Sequence, residues 1–287
     1  MKIIVAKDAG YCFGVRDAVN LAFKSAKQDG EVYMLGHIVH NENVVNDLEK
    51  AGVKVINSLN EVPNGKPIMF RAHGTEPNIW NIAKEKGLRI VDATCPLVIE
   101  IHKEVNKLEK EGRTIIIIGD HGHDEVIGIS KHAESPIIVS SPEEAEKLPK
   151  MKYAGIVSQS TQMIENVQAI INVLMKKVFD LHFVNTICFP TKRNHEQIKE
   201  LAEMTDVIII IGSFTSANSN RLTQLAQERN TNSYQVTCAE DLKMEWFEKI
   251  NSVGITAGAS TPDDVIQAVI NRVREIGNVF EEEVIYG

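Results

Sequence analysis

The sequence has no apolar run approaching 18 residues, and its opening, MKIIVAKDAG, lacks the sustained apolar stretch of a secretory signal. Neither a membrane partner nor export is therefore expected, and a cytoplasmic protein is the simplest reading. Low-complexity segments and long Pro-, Gly- or Ser-rich linkers are missing as well, so loosely tethered domains are not expected. There is no excess of positive charge: 31 Lys and Arg against 39 Asp and Glu leave a net charge of −8, which argues against broad nucleic-acid binding. Cysteine is scarce, with four in 287 residues, and in a reducing compartment four scattered thiols do not make two disulfides.

What the chain does contain is order. Hydrophobic residues make up 43% and charged residues 24%, an ordinary globular balance large enough for two or three cores. Cys12, Cys95 and Cys188 stand 24 residues ahead of Gly36, Gly119 and Gly212, respectively. Each glycine closes a β-branched or apolar run, VYMLG, IIIIG and IIIIG, the pattern of a buried strand ended by a turn. Each cysteine follows another predicted strand: IIVAKDAGY precedes Cys12, LRIVDAT precedes Cys95, and LHFVNTI precedes Cys188. Between each glycine and the next cysteine lies a third strand, a Ser/Thr turn and a predicted helix, with Thr75, Thr161 or Thr261 near the N-cap and Pro77 or Pro262 in the first turn.

These repeats imply an α/β fold of three pseudo-equivalent small domains with mostly parallel sheets. The expected units span 12–94, 95–187 and 188–287. The third lacks a strand before a cysteine, and residues 1–11 are left over to complete it.

A lone cysteine in such a protein is usually a small buried hydrophobe, and Cys238, which has no counterpart in the repeat, fits that description. Three thiolates at equivalent strand ends can instead converge on a metal centre, either an iron–sulfur cluster or zinc. The loops at other strand ends carry His40, His73, His123, Ser160, Thr161, Ser216, Asn218 and Ser260. Any one of these residues has a bland role as a cap or surface group. Recurring in three units, imidazoles, hydroxyls and amides can bind a diphosphate without a lysine clamp. Two rival readings come from other classes. Asp120, His121, His123 and Glu125 suggest a zinc hydrolase, and an iron–sulfur sensor would need a DNA-binding element that the sequence does not offer.

Eight strings in order, GYCFGV (10–15), VHN (39–41), RAHG (71–74), DATCP (92–96), GHDEV (122–126), NTIC (185–188), SANSNRL (216–222) and TAGASTP (256–262), give the chain a family resemblance. It resembles the LytB-type hydroxymethylbutenyl diphosphate reductases of the non-mevalonate isoprenoid pathway, from residue 3 to about residue 266.

That resemblance implies a trefoil of three α/β domains around a central 4Fe-4S cluster held by Cys12, Cys95 and Cys188, with one iron site left open. It implies reduction of 4-hydroxy-3-methylbut-2-enyl diphosphate to isopentenyl and dimethylallyl diphosphates by two electrons and two protons, supplied through a ferredoxin- or flavodoxin-type donor. Glu125 would deliver a proton near the leaving hydroxyl, which requires a carboxyl that keeps its proton at neutral pH. His40, His73, His123, Ser216, Asn218 and Ser260 would contact the diphosphate. Where the family has Gln-Thr-Thr, this chain has Gln159-Ser160-Thr161, so either hydroxyl could serve Glu125. Where the family often has Ser-Ser-Asn, Ala217 leaves only a backbone contact.

Overall fold

The computed structural model of the protein describes residues 1–277 and 281–285. In chain order it begins with β1 (Lys2–Ala6) and α1 (Phe13–Asp29). A first group follows: β2 (Val32–Leu35), α2 (Glu42–Lys50), β3 (Val53–Ile56), β4 (Pro67–Phe70), α3 (Pro77–Glu85) and β5 (Arg89–Asp92). The second group is α4 (Pro96–Lys110), β6 (Thr114–Ile118), α5 (Asp124–Ser130), β7 (Ile137–Val139), α6 (Pro142–Glu146), β8 (Met151–Ser158), α7 (Ile164–Leu174) and β9 (Val178–Phe183). The last is α8 (Phe189–Met204), β10 (Val207–Ile211), α9 (Ala217–Gln227), β11 (Ser233–Val236), β12 (Ser252–Ala257), α10 (Asp263–Ile276) and β13 (Glu281–Ile285).

These strands form three sheets, and every strand pairing in them is parallel. The orders are β3-β2-β4-β5, β7-β6-β8-β9 and β11-β10-β12-β1-β13. In the third sheet β1 lies against β12, the place that β5 and β9 hold against β4 and β8. The N-terminal strand thus pairs with the last third of the chain, as the repeat count requires. Strand β13, on the far side of β1, is not anticipated by the sequence reading, because Glu281-Glu282-Glu283 conceals it.

The chain packs as two compact units. One comprises Asp17–Val39 and Val45–Cys188 and contains the first two sheets; the other comprises Met1–Arg16, His40–Val44 and Phe189–Gly287 and contains the third. Within the first unit, the Ile run of β6 shows why these strands are apolar throughout. Ile115 and Ile117 pack with Ile101, Val105 and Leu108 of α4, while Ile116 and Ile118 pack with Val167, Ile170 and Leu174 of α7. Alternate side chains meet opposite helical layers, so neither face tolerates a polar residue. In the second unit Ile209, Ile211, Val253 and Ile255 meet Ile266, Val269 and Val273 of α10 in the same way.

The 24-residue spacing has a structural counterpart. Gly36, Gly119 and Gly212 each donate the backbone N–H to the carbonyl ending a neighbouring edge strand, Ile56, Val139 and Val236, at 2.9, 3.0 and 2.8 Å. Glycine is required for two reasons. Gly36 has a left-handed φ of 71°, whereas a Cβ on Gly119 or Gly212 would lie 2.6 Å from Val126 Cγ2 or 2.2 Å from Ser219 Oγ.

Thr75, Thr161 and Thr261 lie near the helix starts as expected, one or two residues before the N-caps, but Pro262 is itself an N-cap rather than a first-turn residue. The residues at the N-cap positions of α3, α7 and α10 are Glu76, Met163 and Pro262, none with a side-chain cap bond. Thr261 instead donates its hydroxyl to the carbonyl of Ile211 at 2.9 Å, and Thr161 Oγ1 accepts from Gln159 Nε2 at 3.1 Å. Both hydroxyls are spent on strand ends and turns, which cannot leave their carbonyls and amides unsatisfied. Among the described residues no helix is long and apolar enough to cross a membrane.

Candidate active site

The three repeat cysteines share one local geometry. Cys12, Cys95 and Cys188 donate their backbone N–H groups to the carbonyls of Ala259, Ala72 and Ser160 at 3.3, 3.0 and 2.9 Å. Each of those acceptors lies two residues beyond the end of the neighbouring strand, β12, β4 or β8. Directly after each cysteine a long helix begins, α1, α4 or α8, and Cys95 is itself the N-cap. A half-buried sulfur at the positive end of a helix dipole is well placed to ligate as thiolate. The chemistry of three such donors suits an iron–sulfur cluster. Cys238 differs: burial, and then the Glu240 carboxylate, push its thiol up, so it stays protonated at the N-cap of a short 3-10 turn.

In the unit that holds the first two sheets, the remaining groups form a continuous line. His73 follows Ala72, and its ring meets the His123 ring edge-on at 5.7 Å between centroids. His123 is the N-cap of α5, and its Nδ1 accepts the Glu125 backbone N–H at 3.1 Å. An accepting Nδ1 places the ring proton of the neutral imidazole on Nε2, which makes that edge a donor. Glu125 is 3% exposed, and its carboxylate accepts from Ser160 N at 2.6 Å and Ser160 Oγ at 2.7 Å. The carbonyl of Ser160 in turn anchors Cys188, so proton-bearing groups and two candidate ligands are tied to one frame.

One pair in this unit escaped the sequence reading. Arg71 of RAHG reaches Asp124 of GHDEV at 2.7 Å, both half-buried, locking the loop after β4 to the start of α5. Opposite charges in two separated motifs were the available signal.

The other unit carries His40, Ser216, Ala217, Asn218 and Ser260. Ser260 Oγ donates to the His40 carbonyl at 3.3 Å. Ser216 is the N-cap of α9 and accepts from Ser219 N at 3.3 Å, which leaves its hydroxyl hydrogen able to donate. Ala217 begins the helix and offers only its backbone. Asn218 is 5% exposed, yet neither Nδ2 nor Oδ1 has a hydrogen-bond partner among the described residues. A buried amide left in that state is costly unless a ligand completes it. The start of α9 is held rigidly: Ser219 Oγ sits where a Cβ on Gly212 or Gly258 would be, 2.2 and 2.1 Å away.

The zinc-hydrolase alternative loses its ligands. His121 Nε2 is 2.8 Å from Glu144 on the surface, and His123 Nδ1 is committed to capping α5, so the two imidazoles are separately engaged.

Parallel α/β sheets whose strand-end loops present thiols, imidazoles, hydroxyls and a buried carboxylate define a ligand-binding enzyme of the α/β class. The LytB protein family model matches residues 3–274, and the chain belongs to that family. It is 40% identical over 279 residues to a 4-hydroxy-3-methylbut-2-enyl diphosphate reductase from Geobacter sulfurreducens, covering 97% of this chain and 99% of that protein. A reductase of the same name from Geobacter metallireducens is 41% identical over 277 residues, covering 96% and 98%. Among solved structures, the E-1-hydroxy-2-methyl-but-2-enyl-4-diphosphate reductase from Plasmodium falciparum superposes with a TM-score of 0.93 at 30% identity, covering 99% of this chain and 92% of that one.

Proposed function

We propose that the chain is a 4-hydroxy-3-methylbut-2-enyl diphosphate reductase, the terminal enzyme of the non-mevalonate pathway, working in the cytoplasm. Its relatives' names and the full-length match support this reading. The observation that carries the chemistry is the bonding of Glu125 to Ser160, one residue of which also anchors Cys188. Cys12, Cys95 and Cys188 would hold a 4Fe-4S cluster, which when bound would supply electrons and Lewis acidity. The reading also takes the three sheets as copies of one unit, bounded 12–94, 95–187 and 188–287, with residues 1–11 closing the third.

The chain's own residues bind and protonate. The diphosphate is received by the donor edges of His40, His73 and His123, by the Ser216 and Ser260 hydroxyls and by the Asn218 amide. A set of separate hydrogen-bond donors suits a ligand that must also leave, since many hydrogen bonds replace one strong ion pair. Glu125 carries the proton for the departing hydroxyl. Ser160 is the hydroxyl that this reading gives to the acid, supported by its Oγ lying 2.7 Å from the carboxylate. The balance is two electrons and two protons per substrate: the allylic C–O bond breaks, a C–H bond forms and water leaves.

Anaerobic reconstitution followed by turnover with reduced viologen tests the reading. Formation of both five-carbon diphosphates supports it. A reconstituted protein with a cluster chromophore and no reductase activity would overturn it.

A further inference from the structure

Arg71, the first residue after β4, has no part in binding or proton transfer in the reductase reading. Its Nη1 lies 2.7 Å from Asp124 Oδ2. The same nitrogen fills the space over Gly36, where a Cβ would lie 2.7 Å from it. One guanidinium thus links the loop after β2, the loop after β4 and the start of α5, all within one compact unit. The two side chains are 22% and 28% exposed, so water screens the pair less than it would a surface ion pair.

Asp124 stands between His123 and Glu125 at the first position of α5, a helix of seven residues. Apolar packing fixes one side of this helix, since Val126 and Ile129 are sealed in the core against Ile115 and Ile117 of β6. Along the Asp124 face that packing gives way to open space. A cavity of about 390 Å³ lies there, bordered by Gly36, Arg71, Thr75, Ile127 and Gly128. Ile127 and Gly128 stand three and four positions after Asp124, on the same helix face. Neighbours that border a void cannot set the direction of a helix start, so the charge that Asp124 meets has to do so.

The loop carrying Arg71 is the fixed partner of the two. Its turn closes through the Gly74 N–H to the Arg71 carbonyl at 3.1 Å, and the Ala72 carbonyl accepts the Cys95 N–H at 3.0 Å. Gly74 backs onto the buried His102, whose Cε1 lies 2.7 Å from where a Cβ would be. The same turn carries His73, whose ring meets that of His123. Arg71 therefore ties the proton-bearing end of α5 to the frame that holds His73.

We infer that Arg71 and Asp124 are positioning residues for proton delivery: their ion pair sets the first turn of α5, so that His123 and the Glu125 carboxyl face the same substrate as His73. The inference rests on the reductase reading above and gives neither residue a contact with the diphosphate. A cation so near imidazoles looks made for that ligand, but Asp124 already engages it. A shift of about 1 Å in a reacting group can slow a reaction about a hundredfold. Binding spread over many hydrogen bonds loses far less from the same shift.

The test compares Arg71→Gln, Asp124→Asn and the double variant with the parent, all reconstituted anaerobically. Turnover is measured with reduced methyl viologen, and binding of inorganic diphosphate by calorimetry. Each single change should lower kcat by about tenfold, with KM and diphosphate affinity within about twofold of the parent. The double variant should be no slower than the slower single one, because both changes remove the same link. Arg71→Lys keeps the charge without the planar fork and should recover part of the lost rate. A clamp on the diphosphate would give the reverse at position 71, with KM and the diphosphate dissociation constant raised about tenfold and kcat held. A pair that only stabilises the fold would lower the melting temperature and leave kcat per cluster unchanged. Either result, or losses that multiply in the double variant, would overturn the inference while leaving the reductase reading intact. If the parent enzyme forms no five-carbon diphosphates, it is the reductase reading that has failed, and this inference falls with it.

Discussion

Glu125 and Ser160 are joined twice: the serine backbone N–H meets one carboxylate oxygen at 2.6 Å and the serine hydroxyl meets the other at 2.7 Å. The acid therefore has a fixed direction and a hydroxyl neighbour able to relay a proton. Glu125→Gln keeps the shape and removes the acid. Turnover should fall by about 10² or more, while cluster absorbance and substrate affinity persist. Ser160→Ala should be impaired and Ser160→Thr largely restored, and Thr161→Val should be the milder change. Steady-state rates with reduced viologen decide this, and an unimpaired Glu125→Gln enzyme would remove the residue from the mechanism.

The Asn218 side chain has no hydrogen-bond partner among the described residues while burying both polar atoms. Its replacement by alanine should thus leave the melting temperature unchanged or raised, yet increase KM for the diphosphate by about tenfold or more. Thermal melts without substrate, set against KM, separate these outcomes. A large drop in melting temperature would mean that the amide is structural.

Cysteine substitutions should divide sharply. Serine at position 12, 95 or 188 should degrade the visible absorption of the reconstituted protein, and Cys238→Ser should preserve it. Loss of the chromophore on changing Cys238, whose thiol is pushed up by burial, would redefine the ligand set.

A buried histidine pair sets an acid limit. His102 stacks on His132 at 3.9 Å, and burial, followed by the neighbouring ring, lowers its pKa from 6.5 to about 3. The unfolded chain takes up this proton near 6.5, so between the two values the unfolded state binds more protons than the native state. The stabilising contribution is complete above the unfolded value and shrinks as pH falls below it, by up to about 1.4 kcal/mol per pH unit. His102→Gln should flatten the decline in stability between roughly pH 7 and pH 5, a range in which ordinary carboxylates hardly titrate. Urea melts across that range measure the slope, and an unchanged slope would count against a neutral His102.

The seat of α9 should be intolerant of a single methyl group. Gly258→Ala drives a Cβ to 2.1 Å from Ser219 Oγ, with the Ser219 backbone 3.6 Å away. The helix start has to shift, costing about 1–3 kcal/mol and misplacing Asn218. A lowered melting temperature with raised KM is expected; unchanged values for both would show that the loop yields freely.

Much of this was legible in the sequence, for physical reasons that differ by residue. The runs ending at Gly36, Gly119 and Gly212 are readable because a strand covered on both faces has no room for polar residues. The place of β1 followed from counting, since the third unit lacked its last strand and the one ahead of Cys12 was left over. Thr161 and Thr261 stand near helix starts without capping them, because a hydroxyl there can bond a strand carbonyl or a side chain as readily as an amide of the first turn. Which of Ser160 and Thr161 serves Glu125 depends on the direction of a turn, and that is fixed by contacts 35 residues away. The Arg71–Asp124 pair and β13 were hidden for the same reason, as pairings between distant segments.

The parallel place of β1 between β12 and β13 also sets a timetable. On the ribosome Cys12 is made some 250 residues before the strand and carbonyl that position it, β12 and Ala259. At typical rates of synthesis that is a wait of roughly 12–50 s. Throughout it, an apolar strand and a free thiol remain uncommitted on the nascent chain. Assembly of the proposed metal centre then has to wait until the chain has passed Ala259, and any factor that shields the segment from β1 to Cys12 would govern how much active enzyme a cell obtains.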